Sequence, residues 1–402
     1  MNLADMKRYD ESETVDAVVI GTGAGGSPLL ARLASAGLRV VALEAGKNHT
    51  PEDFPADELA ASGIYWLGER LSAGGTPNVF GANNSGMGVG GSMLHWGAFC
   101  PRVDPRDLRL RTEQGVGEDW PLTYDDLLPY YERVEAFVGV SGPARYPWDE
   151  SRRYPLPPVA LNAPAQMMEI ACTGLGVRTA VAPVAVATRN VAQGPAVRNA
   201  CIGCGSCHQG CRIGAKATMD VTYLPHAVRT GAEIRPESMV RDFEYDESGR
   251  IAAVVYRADG VDRRQRCEAV FLCAGAVETP RLLLHLGIAN SSGQIGRNYM
   301  AHVATQVWGT FEPEMRPNKG YPSSLITEDM VRAADADFAG GYLVQSLGIV
   351  PLTWAQQVTR GRGLWGRALV DYLDRYNHVA GIGINGDCLP QATNYLELAD
   401  ET

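Results

Sequence analysis

The chain has 402 residues, 45% of them hydrophobic and 20% charged, an ordinary globular composition that gives material for two or three domains. Its formal net charge of −10 has the wrong sign for a nucleic-acid footprint or for attraction to an anionic membrane surface. No apolar run is long enough to span a bilayer, because the longest, Phe338 to Trp354, is broken by glycines, Gln345, Ser346 and Pro351.

In chain order, the start from Met1 to Asp16 is polar and acidic, so it does not read as a secretory signal. A cytoplasmic setting is expected, with export beside a signal-bearing partner as the alternative. Val18, Val19 and Ile20 then form a short strand, followed by the G-x-G-x-x-G turn of Gly21, Gly23 and Gly26, with Gly25 inside it. Ser27 to Ala36 has helical spacing, with Leu29, Leu30, Leu33 and Ala34 as its packing stripe. A second strand, Val40 to Leu43, ends at the acid Glu44. Gly21 allows the tight turn, Gly23 lets backbone amides approach a pyrophosphate, and Gly26 lets helix and strand pack closely. The helix N-terminus faces phosphate charge, while Glu44 can accept hydrogen bonds from a ribose diol and would repel a 2′-phosphate. This order of parts points to an adenine dinucleotide site; the plainer alternative is an ordinary βαβ unit with a glycine-rich turn.

Residues 47–100 are glycine-rich and read as loop and short helix. Asp119 to Val140 contains a helix capped by Thr123 and Asp126, with Leu127, Leu128, Tyr131, Val134 and Val138 on one face. Arg145 to Pro164 is proline-rich and reads as a linker. Val181 to Val186 and Ile234 to Arg235 are strand pieces. Arg250 to Tyr256 and Cys267 to Cys273 are clearer strands, with the turn Asp259-Gly260 between them predicting a hairpin-like meander. Ala269 to Gly287 repeats the strand–turn–helix theme, with small residues at the turn and Thr279-Pro280 opening the helix. Beyond Gly296 the pattern predicts strands at Val303 to Phe311 and Tyr342 to Val350, and a helix near Leu364 to Tyr376.

Four of the nine cysteines, Cys201, Cys204, Cys207 and Cys211, have C-x2-C-x2-C-x3-C spacing. This is the bacterial ferredoxin run without its final proline, so an iron–sulfur cluster is one expectation. A structural cysteine loop, a zinc site and a local disulfide are the others.

Several blocks together resemble the glucose–methanol–choline (GMC) oxidoreductases, flavin enzymes that oxidise alcohols and sugars. They are Gly21 to Glu44; Gly88-Val89-Gly90-Gly91-Ser92 with His95-Trp96; Trp120-Pro121 ahead of Tyr124-Asp125-Asp126-Leu127; Gly214-Ala215-Lys216 after Cys211; Ala274-Gly275-Ala276 with Thr279-Pro280; and Gly296-Arg297-Asn298 with His302. The resemblance covers residues 15 to about 302 and is loose beyond. It implies an α/β fold class: a Rossmann-like FAD-binding domain with a second substrate domain of antiparallel sheet plus helices. The implied division is 1–150 and 226–302 for the FAD domain, 151–225 for a linker and cysteine-rich excursion, and 303–402 for an incomplete substrate domain. It implies FAD rather than NAD, an NAD-dependent dehydrogenase being the weaker reading. The cofactor-contacting positions are then Gly21, Gly23, Gly25, Gly26, Glu44, Gly90, Gly91, Ser92, His95, Trp96, Val240, Ala274 and Gly275.

His95 follows Gly91 by four residues, as in the pyranose oxidases, so it is either a covalent flavin attachment point or a noncovalent neighbour of the ring. Leu286-Gly287 stands where the family has Ser-Gly. The family's catalytic histidine belongs to a C-terminal block, and the chain reaches only Asn394 to Leu398 before Thr402, so the base is expected beyond this sequence and the segment alone is expected to be inactive. The implied activity is oxidation of a CH–OH donor, an alcohol, sugar, sugar acid or sterol, with oxygen or a quinone or cytochrome partner as electron acceptor. The alternative is a noncatalytic flavin-binding, electron-relay subunit carrying an iron–sulfur cluster.

Overall fold

The computed structural model describes residues 1–399 other than 56, 67–69, 74–78, 83–84, 194–195 and 334–335; Thr402 lies outside the described residues. The first strand, β1 (Ala17–Ile20), passes into α1 (Gly26–Ser35) and returns through β2 (Val40–Leu43). There follow α2 (Tyr124–Val138), α3 (Ala163–Leu175), β3 (Ala180–Val181), α4 (Tyr223–Arg229), β4 (Glu233–Arg235) and β5 (Met239–Tyr245). Next come β6 (Ile251–Ala258), β7 (Val261–Arg266), β8 (Val270–Leu272) and α5 (Gly275–Leu286). The last stretch supplies β9 (Val303–Thr310), β10 (Leu325–Thr327), β11 (Tyr342–Leu347), α6 (Pro351–Arg362), α7 (Gly366–Leu373) and β12 (Val379–Gly386).

Four strands form a parallel sheet in the order β8-β1-β2-β4, with Val18 opposite Val270 and Ala17 opposite Val40. Parallel strands are buried on both faces, which is why these segments read as unbroken apolar runs. Ala17, Val19, Val40 and Ala42 pack on Leu30 and Ala34 of α1 and on Leu224 and Ala227 of α4. The alternate residues, Val18, Ile20, Val41 and Leu43, pack on Val240 and Phe243 of β5, Val254 and Tyr256 of β6, and Leu282 of α5. The sheet is therefore a middle layer, and its carboxyl ends open toward the turns after β1 and β8.

A second sheet is antiparallel, in the order β9-β12-β11-β10-β3, so residues 180–181 join the segment 303–386. Helix α3 covers it through Ala165 and Met168, which meet Leu325 and Val344. Asn162 caps that helix: its Oδ1 accepts from the Ala165 amide at 3.0 Å while its Nδ2 donates to the Tyr321 carbonyl at 3.1 Å. An Asn162→Ala change removes a cap and strands a buried carbonyl, so it is expected to cost about 2 kcal/mol of unfolding free energy. Urea unfolding of the two proteins checks this; equal midpoints would show that the cap contributes nothing.

Several sequence expectations need correction. The hairpin partner across Asp259-Gly260 is the polar strand β7, while Cys267 to Cys273 leaves to join the parallel sheet as β8. Helix α5 starts at Gly275, within the Ala-Gly bend itself, and Pro280 lies inside it. On α2 the capping box of Thr123 and Asp126 is present, but Val134 is exposed and Glu135 is buried. The cause is Arg102, whose guanidinium holds Glu135 at 2.8 and 2.6 Å and draws that side of the helix inward. Residues 163–175 form α3, where the prolines before them predict only the end of a linker; α6 and the short strand pair Arg70–Ala73 and Val79–Ala82 have no counterpart among the sequence expectations. Among the described residues no helix is long and apolar enough to cross a membrane.

Candidate functional site

At the carboxyl ends of β1, β2 and β8 lies a cavity of about 460 Å³. Gly21, Gly23, Gly25, Glu44, Gly91, Ser92, Trp96, Val240, Ala274 and Gly275 all line it, although they come from five separate stretches of chain. The turn that leads into α1, up to its N-cap Gly25, and the first turn of α5, Gly275 to Glu278, both line it, so two helix starts face one cavity. The loop at Gly91 closes tightly on the turn after β1: a Cβ added to Gly91 would lie 2.7 Å from the Gly23 Cα. Two bare backbones in contact make a cradle that any side chain would fill.

Glu44 is buried at the end of β2. Its Oε2 accepts from the Thr22 amide at 3.0 Å and the Thr22 hydroxyl at 2.7 Å, and its Oε1 accepts from the Gly46 amide at 3.1 Å. Burial pushes the carboxyl above its ordinary range, and those same donors oppose the rise. Thr22 also accepts from the Gly90 amide at 3.0 Å, so the acid, the first turn and the Gly90 loop form one hydrogen-bonded unit.

Three predicted residues stand off the cavity surface. Gly26 lies beneath it, packed against Gly21 and Cys273. Gly90 backs the wall through Thr22. His95 is buried with its ring stacked on Tyr65 at 4.4 Å, and its Nε2 has no hydrogen-bond partner among the described residues. Sequence reasoning missed Thr22, Trp66, Glu278, Arg281 and Tyr299, which also line the cavity. Thr22, Glu278 and Arg281 sit inside or beside quoted motifs and Tyr299 follows Asn298, whereas nothing around Trp66 marks it.

The four cysteines of the run are free thiols. Cys201 and Cys207 pack into an apolar cluster with Ala98, Val184 and Tyr321, and Cys204 is exposed. Burial pushes the Cys207 thiol up to about 12. Among the described residues no group of three or more His, Cys, Asp or Glu side chains is arranged to hold a metal ion. The run does not fit an iron–sulfur cluster or a zinc site in this arrangement; it packs as a structural loop.

The family description GMC oxidoreductase matches residues 15–304. The chain belongs to the GMC oxidoreductase family. Among relatives of this GMC protein, the fructose dehydrogenase large subunit of Gluconobacter japonicus is 28% identical over 98% of this chain and 78% of the relative. The 2-methyl-1,2-propanediol dehydrogenase of Mycolicibacterium austroafricanum is 30% identical over 73% of this chain and 56% of its own length. Two solved folds are similar: pyridoxine 4-oxidase from Mesorbium loti (TM-score 0.61, 18% identity, 92% of this chain and 71% of that one) and formate oxidase (0.65, 14%, 94% and 73%). The α/β GMC fold, with its parallel and antiparallel sheets, is thus the fold of this chain.

Proposed function

We propose that the cavity binds FAD noncovalently and that this GMC protein oxidises the CH–OH group of an alcohol, sugar, sugar acid or sterol. The observation that carries the reading is the convergence of both small-residue bends, Gly21 to Gly25 and Ala274-Gly275, with Glu44 on one cavity. The bare-backbone cradle between Gly91 and Gly23 fits a flat or extended group that must approach main-chain atoms closely. In this reading the turn after β1 and the start of α1 hold the pyrophosphate and Glu44 the ribose. Val240 borders the adenosine, and Gly91, Ser92 and Trp96 form the wall for the ring system, backed by Gly90. Bound there, FAD supplies a two-electron oxidant for a carbinol carbon. Trp66, Met93 and Trp96 line the same cavity and give part of its wall an apolar surface. No histidine lines it among the described residues.

The relatives named for fructose, for 2-methyl-1,2-propanediol and for cholesterol support the substrate class. That the fructose enzyme is named a large subunit supports a partner subunit for this protein too; a cytochrome or a quinone is the electron acceptor in this reading. The relay alternative requires an iron–sulfur cluster that the cysteine run does not fit, and nothing is routed through one.

The test has two parts. Flavin-free protein titrated with FAD is expected to quench flavin fluorescence saturably, and acid precipitation is expected to release the flavin to the supernatant. The full gene product, loaded with FAD and kept anaerobic, is expected to bleach with at least one member of an alcohol and sugar panel. Binding without bleaching by any donor would turn the reading to a noncatalytic flavin protein; no binding would end it.

A further inference from the structure

The sequence block Gly214-Ala215-Lys216 and the cysteine run before it have no task in the reading above. Lys216 is buried at 1% exposure, and its ammonium has no carboxylate partner among the described ion pairs. It donates instead to three carbonyls: Leu94 and Trp96 at 3.0 Å each, and Cys207. An ammonium has three donors, and all three are used. The carbonyl between the first two, that of His95, meets His208 Nδ1 at 3.2 Å. Three consecutive carbonyls, Leu94, His95 and Trp96, are therefore held from the same segment, residues 207–216. Tyr65 adds a link, its hydroxyl donating to the His208 carbonyl at 3.0 Å. On the other side of this loop, Ser92, Met93 and Trp96 line the cavity.

We infer that Lys216 and His208 are positioning residues, which make the cysteine-run segment the mould for the cavity-facing loop 92–96. The inference rests on the flavin reading for its purpose, though not for its geometry. Leu94 packs with Phe54 and Ile64 and His95 stacks on Tyr65, which seats two side chains of the loop, while the course of its main chain through 94–96 is held by these carbonyl contacts. Burying a lysine without a direct ion pair is unfavourable, and its three hydrogen bonds, with the field of the buried Asp220 carboxyl, offset that penalty. The arrangement uses one buried charge to bring Leu94 and Trp96 to a single point and to tie both to Cys207.

The experiment uses Lys216→Met, which keeps the stem and removes the donors, and His208→Ala beside His208→Asn, whose amide restores a donor near the Nδ1 position. His208 is exposed, so its variants keep the protein folded if the buried Lys216 variant does not. Hydrogen exchange of the flavin-free chain is expected to speed up across 92–97 in Lys216→Met and His208→Ala, with the amides of β1 and β2 unchanged. His208→Asn is expected to return to the wild-type pattern. In FAD titrations Lys216→Met is expected to weaken binding by about tenfold or more and to alter the flavin band shape, with His208→Ala weaker by a few-fold and His208→Asn close to wild type. Unchanged exchange at 92–97 in both the His208→Ala and any folded Lys216→Met protein would overturn the brace. Wild-type protein that fails to bind FAD would instead overturn the flavin reading, while the exchange result still judges the brace.

Discussion

Gly26→Ala is expected to destroy FAD binding and to lower the stability of the whole parallel layer. An added Cβ at residue 26 would stand 2.0 Å from the Gly21 carbonyl oxygen and 3.2 Å from the Cys273 Cβ. The first of these neighbours is backbone and cannot rotate away, so α1 must move off β1. Overpacking of this kind costs about 1–3 kcal/mol, and more where main chain has to shift. The same shift carries the N-terminus of α1 away from the cavity and opens the contact between Gly23 and Gly91. A loss of affinity of about a hundredfold or more follows from forfeiting even two backbone contacts to a pyrophosphate. Gly25→Ala is the control, because no atom lies within 4 Å of a Cβ there. It should melt like wild type, yet place a methyl group at the cavity wall and weaken FAD alone. Thermal melts and FAD fluorescence titrations separate the two changes. A Gly26→Ala protein with wild-type melting and wild-type affinity would show that the close packing of α1 is not what shapes the site.

That site was readable in the sequence wherever the chain acts locally. β1, α1 and β2 declare themselves because a parallel strand is apolar throughout and a helix that packs on it repeats every three or four residues. Glu44 was found because it ends the second strand. Val240, by contrast, came from family resemblance; its own neighbourhood, Ser238 to Val240, has no pattern that marks a ligand wall. β7 was missed because it is polar along its length: only Gln265 is fully buried, and its pairing is dictated by β6 across the turn. Helix α3 was hidden by prolines, although Asn162 with Pro164 is a helix-start signal. The buried Glu135 was unreadable because its partner, Arg102, lies in a segment without periodicity. The mould around residues 94–96 was equally out of reach, since it is made by carbonyls, which no side-chain pattern encodes.

His95 carries the clearest expected dependence on pH. Its ring is 5% exposed, and burial, then the nearby Lys216 charge, push it down from 6.5 to about 4. An unfolded chain takes up that proton near 6.5, the folded chain only near 4. Between those values the unfolded state binds more protons, so stability rises with pH across the window and is lost on acidification. Above 6.5 the residue contributes no dependence. Below about 4 the full loss is reached, about 3 kcal/mol, because a tenfold change in proton affinity is worth about 1.4 kcal/mol. His95→Phe keeps a flat ring against Tyr65 and has no proton to gain, and Nε2 has no partner to lose. Urea unfolding across the acid range is therefore expected to show the variant gaining on wild type by about that amount, with the two curves parallel above 6.5. Curves that stay parallel down to the acid end would remove His95 as the sensor. The consequence for the cavity is direct: a protonated His95 would set a second cation beside Lys216, behind the loop that Lys216 holds, so acid would slacken the wall from the inside before it touched any group in the cavity itself.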